Sequence, residues 1–137
     1  PRCELGRLNP HVLRLATATC PQAFFDVGAY LDFLEAADKA GINVPIVPGI
    51  LPVTNFNRVK EFGAMTGMAV PGWMGDLFDG LADDLETRQL VAATVAAEQC
   101  RVLYANGVKE FHFYTLNRAD LTYAICHILG VRPNAKA

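Results

Sequence analysis

The sequence predicts a parallel α/β fold, and three observations carry that prediction. Short apolar runs rich in branched and aromatic residues alternate with longer stretches of helical periodicity, in the order β-α-β-α-α-α-β-α. Glycines stand where helices should stop, at Gly41, Gly67, Gly107 and Gly130. The chain has 137 residues, 52% of them apolar, which is enough for one domain with a sizeable core.

The elements follow in order. AFF at 23–25 is a short apolar run, and Asp26 after it is a suitable N-cap. Tyr30, Leu31, Phe33, Leu34 and Ala37 then recur at helical spacing up to Gly41. NVPIVPGIL (43–51) has the branched residues of a buried strand, which Pro45 and Pro48 must shorten because proline donates no ladder hydrogen bond. Thr54 is suited to cap a helix with Phe56, Val59 and Phe62 on one core-facing side, ending near Gly67. Pro71 opens a short helical segment, GWMGDLFDGL. The long helix from about Leu85 to Asn106 carries a predicted apolar stripe of Leu90, Val91, Thr94, Val95, Val102 and Leu103. Phe111–Tyr114 is the clearest strand, and Asn117 or Arg118 starts a last helix in which Leu121, Ile125 and Leu129 are spaced by four.

Composition excludes several classes. Net charge is −2 with no basic block, so nucleic acid is not an expected partner. No apolar run approaches the ~20 residues of a membrane span. The four cysteines (Cys3, Cys20, Cys100, Cys126) form no Cys-x-x-Cys pair, which favours reduced thiols in the cytoplasm over a disulfide framework or a zinc site. Cys100 and Cys126 lie in helical patterns and read as small core residues. Arg14 interrupts HVLRLATATC, so a secretory leader is not expected. Residues 1–21 lack clean periodicity and are set apart as a lead-in to residues 22–137.

Binding residues in parallel α/β folds gather beyond the carboxyl ends of the strands. Three junctions qualify: Phe25-Asp26, the loop 48–55, and the polar turn between Tyr114 and Arg118. A cation at a helix N-terminus opposes the helix dipole, so Arg118 is not placed there for helix stability. It either meets a carboxylate or phosphate or is a solvated arginine paired with Asp120 or Glu110. Strand alternation puts His112 and Tyr114 on one face; Tyr114 either stacks on a planar ligand or belongs to the core, and His112 reads as a core histidine. Asp76, Asp79, Asp83, Asp84 and Glu86 fit no calcium loop and read as caps and a solvated face, so no metal is expected. No Gly-x-Gly-x-x-Gly, Walker lysine motif or His-Glu-x-x-His is present. Three βα units cannot close a barrel, which needs about 250 residues, so the chain is either a small open sheet or one end of a longer chain.

PGILPVTNF (48–56), PGWMGDLFDGLADD (71–84) and EFHFYTLNRADLTYAICHILGVRP (110–133) closely resemble bacterial 5,10-methylenetetrahydrofolate reductases, in a similarity running from about Gln22 to Pro133. The resemblance implies the C-terminal portion, about three βα units, of a (β/α)₈ TIM barrel. It implies an FAD-dependent oxidoreductase that takes hydride from NAD(P)H and reduces 5,10-methylenetetrahydrofolate to 5-methyltetrahydrofolate.

Carried over by position, the resemblance assigns substrate contacts to Gln22, Arg58, Phe62, Tyr114 and Arg118. Gln22 would bond the pterin or the nicotinamide carboxamide, and Phe62 would pack against the folate benzoyl ring or adenine. Arg58 stands where the family often has glutamine. Arg118 would bind the glutamate tail of folate. The family's general acid and its FAD-gripping residues lie on earlier strands, so no catalytic residue is expected in this chain and retention of FAD by it alone is not expected. The resemblance further implies a homo-oligomer or dependence on a missing N-terminal portion. The rival expectation is a flavin-free folate-binding or interaction fragment without catalysis.

Overall fold

A computed structural model describes residues 25–132. Its elements are α1 (Val27–Lys39), β1 (Gly49–Ile50), α2 (Phe56–Thr66), α3 (Gly72–Phe78), α4 (Leu85–Ala105), β2 (His112–Phe113) and α5 (Ala119–Ile128). The α/β class is therefore observed. Of the predicted first strand only Phe25 falls among the described residues, and it is buried.

β1 and β2 are parallel neighbours, with Gly49 opposite His112 and Ile50 opposite Phe113. A parallel pair needs a long crossover, which α2, α3 and α4 supply. The ladder extends beyond the formal strands, since the His112 N–H donates to the Pro48 carbonyl and the Tyr114 N–H to the Ile50 carbonyl, both at 2.9 Å. The strand predicted over 43–51 shrinks to two residues. Pro45 and Pro48 interrupt its donors, as their chemistry requires.

Helix ends follow local rules. The Asp26 carboxylate accepts from the Ala29 N–H at 3.2 Å, and Asp84 accepts from Thr87 at 2.9 Å. Hydrogen bonds from Thr87 hold the Asp84 carboxyl below its ordinary range. At α2 the cap is Asn55, whose side chain accepts from the Arg58 N–H at 3.1 Å, and not Thr54. Asparagine is the stronger cap of two adjacent candidates. Gly63 in α2 is required by close approach, because a Cβ there would lie 2.9 Å from the Met68 carbonyl oxygen.

The main core joins α4 and α5 to Tyr30 and Ile50, with Phe111 and Phe113 packed against it. Here the predicted α4 stripe is corrected. The buried face is Ala92, Ala93, Ala96, Ala97, Gln99, Cys100 and Leu103, while Leu90, Thr94 and Val102 are exposed. Small side chains let α4 approach its neighbours closely, so the alanines face inward even though they carry the weaker hydrophobic pattern. Gln99 is buried and donates through Nε2 to the Phe25 carbonyl at 3.2 Å. The Tyr30 hydroxyl donates to the Ile46 carbonyl at 2.6 Å, tying α1 to the chain entering β1. A second cluster of Phe25, Val53, Val59, Met74 and Phe78 packs α2 and α3 beyond the carboxyl end of β1.

Burial pushes the Cys100 thiol up to about 12, so it stays protonated and inert at neutral pH. Cys100 is thus a core residue, as predicted, and Cys126 is half-buried.

Candidate functional site

Because β1 and β2 run parallel and adjacent, their following loops leave the same end of the sheet. The first loop runs through Thr54 to the cap of α2; the second is the turn from Thr115 to Arg118. One side chain joins them: the Arg118 guanidinium donates from Nη1 to the Thr54 hydroxyl oxygen at 3.3 Å.

The second loop is tightly wound. The Arg118 N–H donates to the Thr115 carbonyl at 2.8 Å, and both residues between have positive φ, 47° at Leu116 and 62° at Asn117. Two consecutive positive φ values with that bond are the pattern of a type I′ turn, which favours asparagine and glycine. Asn117 suits it. Leucine does not, and Leu116 is 73% exposed, so burial of its side chain gives no compensation. Strain of this kind persists where the surroundings enforce it, and it clusters at ligand sites.

Arg118 is exposed at the start of α5 and makes no side-chain cap bond. Among the described residues the ion pairs are Lys39–Glu35 and Arg101–Glu98, so Arg118 is paired with neither Asp120 nor Glu110. A guanidinium left unpaired beside free helix N–H groups is suited to a carboxylate or phosphate.

Tyr114 is half-buried at the end of β2. His112 meets it edge to face, with ring centroids 5.0 Å apart and planes at 84°. His112 is exposed, so its predicted core role is corrected: Phe111 and Phe113 pack on the core, and His112 between them faces solvent. Arg58 and Phe62 lie one turn apart on α2, both exposed. Phe62 is 46% exposed, which overturns its predicted burial with Val59, since Gly63 and Val59 face the core instead. No hydrogen bond or ring contact joins Arg58 or Phe62 to Arg118 among the described residues. Gln22 lies outside the described residues.

Two concavities lie elsewhere. A cleft of about 450 Å³ is lined by Phe56, Lys60, Asp76 and Arg88, and an apolar groove of about 680 Å³ by Phe25, Trp73, Val95 and Val102. Arg88 Nη1 donates to the Leu81 and Ala82 carbonyls and so closes the loop beside the first. Neither contains Thr54, Tyr114 or Arg118. Among the described residues no group of three or more His, Cys, Asp or Glu is placed to hold a metal ion, and no helix is long and apolar enough to cross a membrane.

Thr54 is the site residue that the sequence concealed. Its hydroxyl looked like a cap, and the signal against that role was its neighbour Asn55, a better cap one position nearer the helix.

Fold and site together define an α/β chain that offers, at the carboxyl ends of parallel strands, a half-buried tyrosine and a guanidinium without an ion pair among the described residues. The methylenetetrahydrofolate reductase family model matches residues 4–130, and the chain belongs to that family. The match begins inside the lead-in that the sequence resemblance had left out. The chain is 55% identical over 132 residues to the 5,10-methylenetetrahydrofolate reductase of Escherichia coli (strain K12), covering 96% of this chain and 45% of that protein. It is 54% identical over 133 residues to the enzyme of the same name from Pectobacterium carotovorum subsp. carotovorum, covering 97% of this chain and 45% of that protein. The chain thus spans less than half the length of these relatives. A solved structure of an uncharacterized Clostridium thermocellum protein that binds two copies of 5-methyl-5,6,7,8-tetrahydrofolic acid matches with a TM-score of 0.46 and 18% identity, over 80% of this chain and 41% of that one.

Proposed function

We propose that this chain forms the C-terminal substrate wall of a flavin-dependent enzyme that reduces 5,10-methylenetetrahydrofolate to 5-methyltetrahydrofolate with NAD(P)H in the cytoplasm. The observation that carries the proposal is Arg118: among the described residues its guanidinium has no acidic partner, and it lies in the loop beyond the carboxyl end of β2. Family membership at 55% identity supports the reaction class.

In this reading Arg118 holds the carboxylates of the folate glutamate tail by charge-assisted hydrogen bonds. Tyr114 offers a ring face or hydroxyl to the bound ring system, and Phe62, exposed on α2, offers a flat apolar surface to the benzoyl ring or adenine. Arg58, one turn earlier, adds a second cation, and Gln22 would contact pterin or nicotinamide. These side chains are assigned to substrate binding and none of them to proton transfer. Bound flavin would supply the hydride relay. The described residues do not make a cradle for FAD: no Gly-rich loop follows β1 or β2, and the turn after β2 carries one guanidinium for a diphosphate. No residue of that set is therefore assigned to the cofactor.

The wall is proposed to work inside a complete (β/α)₈ barrel, reached by self-association or with the remainder of a longer polypeptide. The exposure of His112 on β2 and the 45% coverage of relatives support this. The test is an absorbance spectrum and a 5-methyltetrahydrofolate titration of the purified chain, with sedimentation alongside. The expected result is no flavin band after desalting with FAD, folate binding that R118A weakens, and an associated species. A monodisperse chain that binds no folate would overturn the proposal. Flavin retained by the chain alone, with NADH–menadione turnover, would replace it with a self-sufficient enzyme. Folate binding by a colourless monomer would favour a binding module without catalysis.

A further inference from the structure

Asn55 takes the capping role at α2, which leaves the neighbouring Thr54 hydroxyl free of the helix. That hydroxyl instead accepts a hydrogen bond from Arg118, 64 residues away in sequence and on the next strand's loop. Arginine carries about 2 kcal/mol of rotamer entropy, so a guanidinium that must meet a carboxylate gains from being held in place beforehand. Two restraints act on Arg118 from different directions. Its backbone is fixed by the turn in which Leu116 and Asn117 take positive φ, closed by the 2.8 Å bond to Thr115. Its side chain is restrained by the hydrogen bond to Thr54. The hydroxyl can accept this bond without neutralising the charge, whereas an aspartate at the same place would pair with the guanidinium and compete with an anionic ligand. Serine would preserve the function; valine, of similar shape, would remove it.

We propose that Thr54 is a positioning residue for anionic substrate recognition: it aims the Arg118 guanidinium at the α-carboxylate or γ-carboxylate of a folate glutamate tail. This rests on the reading of Arg118 given above, and extends it to a residue in the other loop. Thr54 touches no reacting atom. Its contribution is confined to ligands that carry the glutamate, because a restrained arginine helps only a ligand with a carboxylate to meet.

The experiment measures binding of 5-methyltetrahydrofolate and of 5-methyltetrahydropteroate, which lacks the glutamate, to wild type, T54V, T54S, R118A and the T54V/R118A double variant. R118A should weaken the glutamate-bearing ligand by about tenfold or more, as expected for loss of a charge-assisted contact. T54V should weaken it by about three- to tenfold, the worth of one hydrogen bond, and T54S should bind within about twofold of wild type. In the R118A background T54V should add nothing, since Thr54 acts through Arg118. The pteroate should bind all five proteins alike. T54V equal to wild type, or equally weakened for both ligands, would overturn the positioning role while leaving Arg118 as the anchor. An R118A variant that binds the glutamate-bearing ligand as well as wild type would overturn the reading beneath it.

Discussion

The α4–α5 core and the strand-end turn solve opposite problems with the same polypeptide. In the core, Ala92, Ala93, Ala96 and Ala97 bring backbones together, Leu103 and Ile125 are fully buried, and even Gln99 finds a carbonyl. At the turn, a leucine sits at positive φ in solvent and a guanidinium stands without an acid among the described residues. The first region buries apolar side chains and leaves only Arg88 Nε and Thr122 Oγ1 unpartnered among the described buried side-chain atoms; the second holds strain and charge in solvent. The difference separates residues that maintain the fold from residues that the fold maintains.

Substitutions on the two sides should therefore diverge. The largest effect belongs to the core: Leu103→Ala, at 0% exposure, should cost about 2–5 kcal/mol of unfolding free energy by denaturant titration. A loss below about 1 kcal/mol would mean that α4 is not packed as described. Next comes the boundary between the regions. Asn55→Ala should cost about 1 kcal/mol by removing the α2 cap, whereas Thr54→Val should cost less, because it leaves the cap intact and removes only an exposed bond. The reverse order would return the capping role to Thr54. A smaller effect of opposite sign is expected at the turn. Leu116→Gly should leave stability unchanged or raise it by up to about 1 kcal/mol, since glycine relieves the positive φ but costs chain entropy. A clear loss would show that the exposed leucine makes a contact that sets the turn.

The last effect vanishes at neutral pH. The Cys100 pKa is raised from 9.0 to about 12 by burial, so its protonated form is favoured in the folded state. Its contribution is complete below pH 9 and is lost as pH climbs toward 12, where the unfolded thiol ionises first. Cys100→Ala should remove that share of the alkaline loss. Equal slopes for the two proteins above pH 9 would place the thiol in contact with water.

Much of this was legible in the sequence, for local reasons. Asp26 as a cap, Gly41, Gly67, Gly107 and Gly130 as helix ends with positive φ, and the shortening of the first strand by Pro45 and Pro48 each depend on one residue and its immediate backbone. The strand-end location of Tyr114 and Arg118 was legible too, because strand-turn-helix punctuation puts them there. The α4 stripe was misread since hydrophobicity ranks valine and leucine above alanine, while close packing selects the smaller side chain. Phe62 and His112 were misassigned to the core because periodicity names a face without saying whether anything covers it.

By itself, then, the sequence determined the helices, the Asp26 cap, the glycine stops, the α/β class and the polar turn after β2, chiefly through neighbours within a few residues. Only the tertiary structure decided that α4 packs through its alanines, that Phe62 and His112 face solvent, and that Thr54 leaves the helix cap to meet Arg118. Those outcomes depend on groups brought together across dozens of residues by the parallel pairing of β1 with β2, and local chemistry carries no record of that pairing.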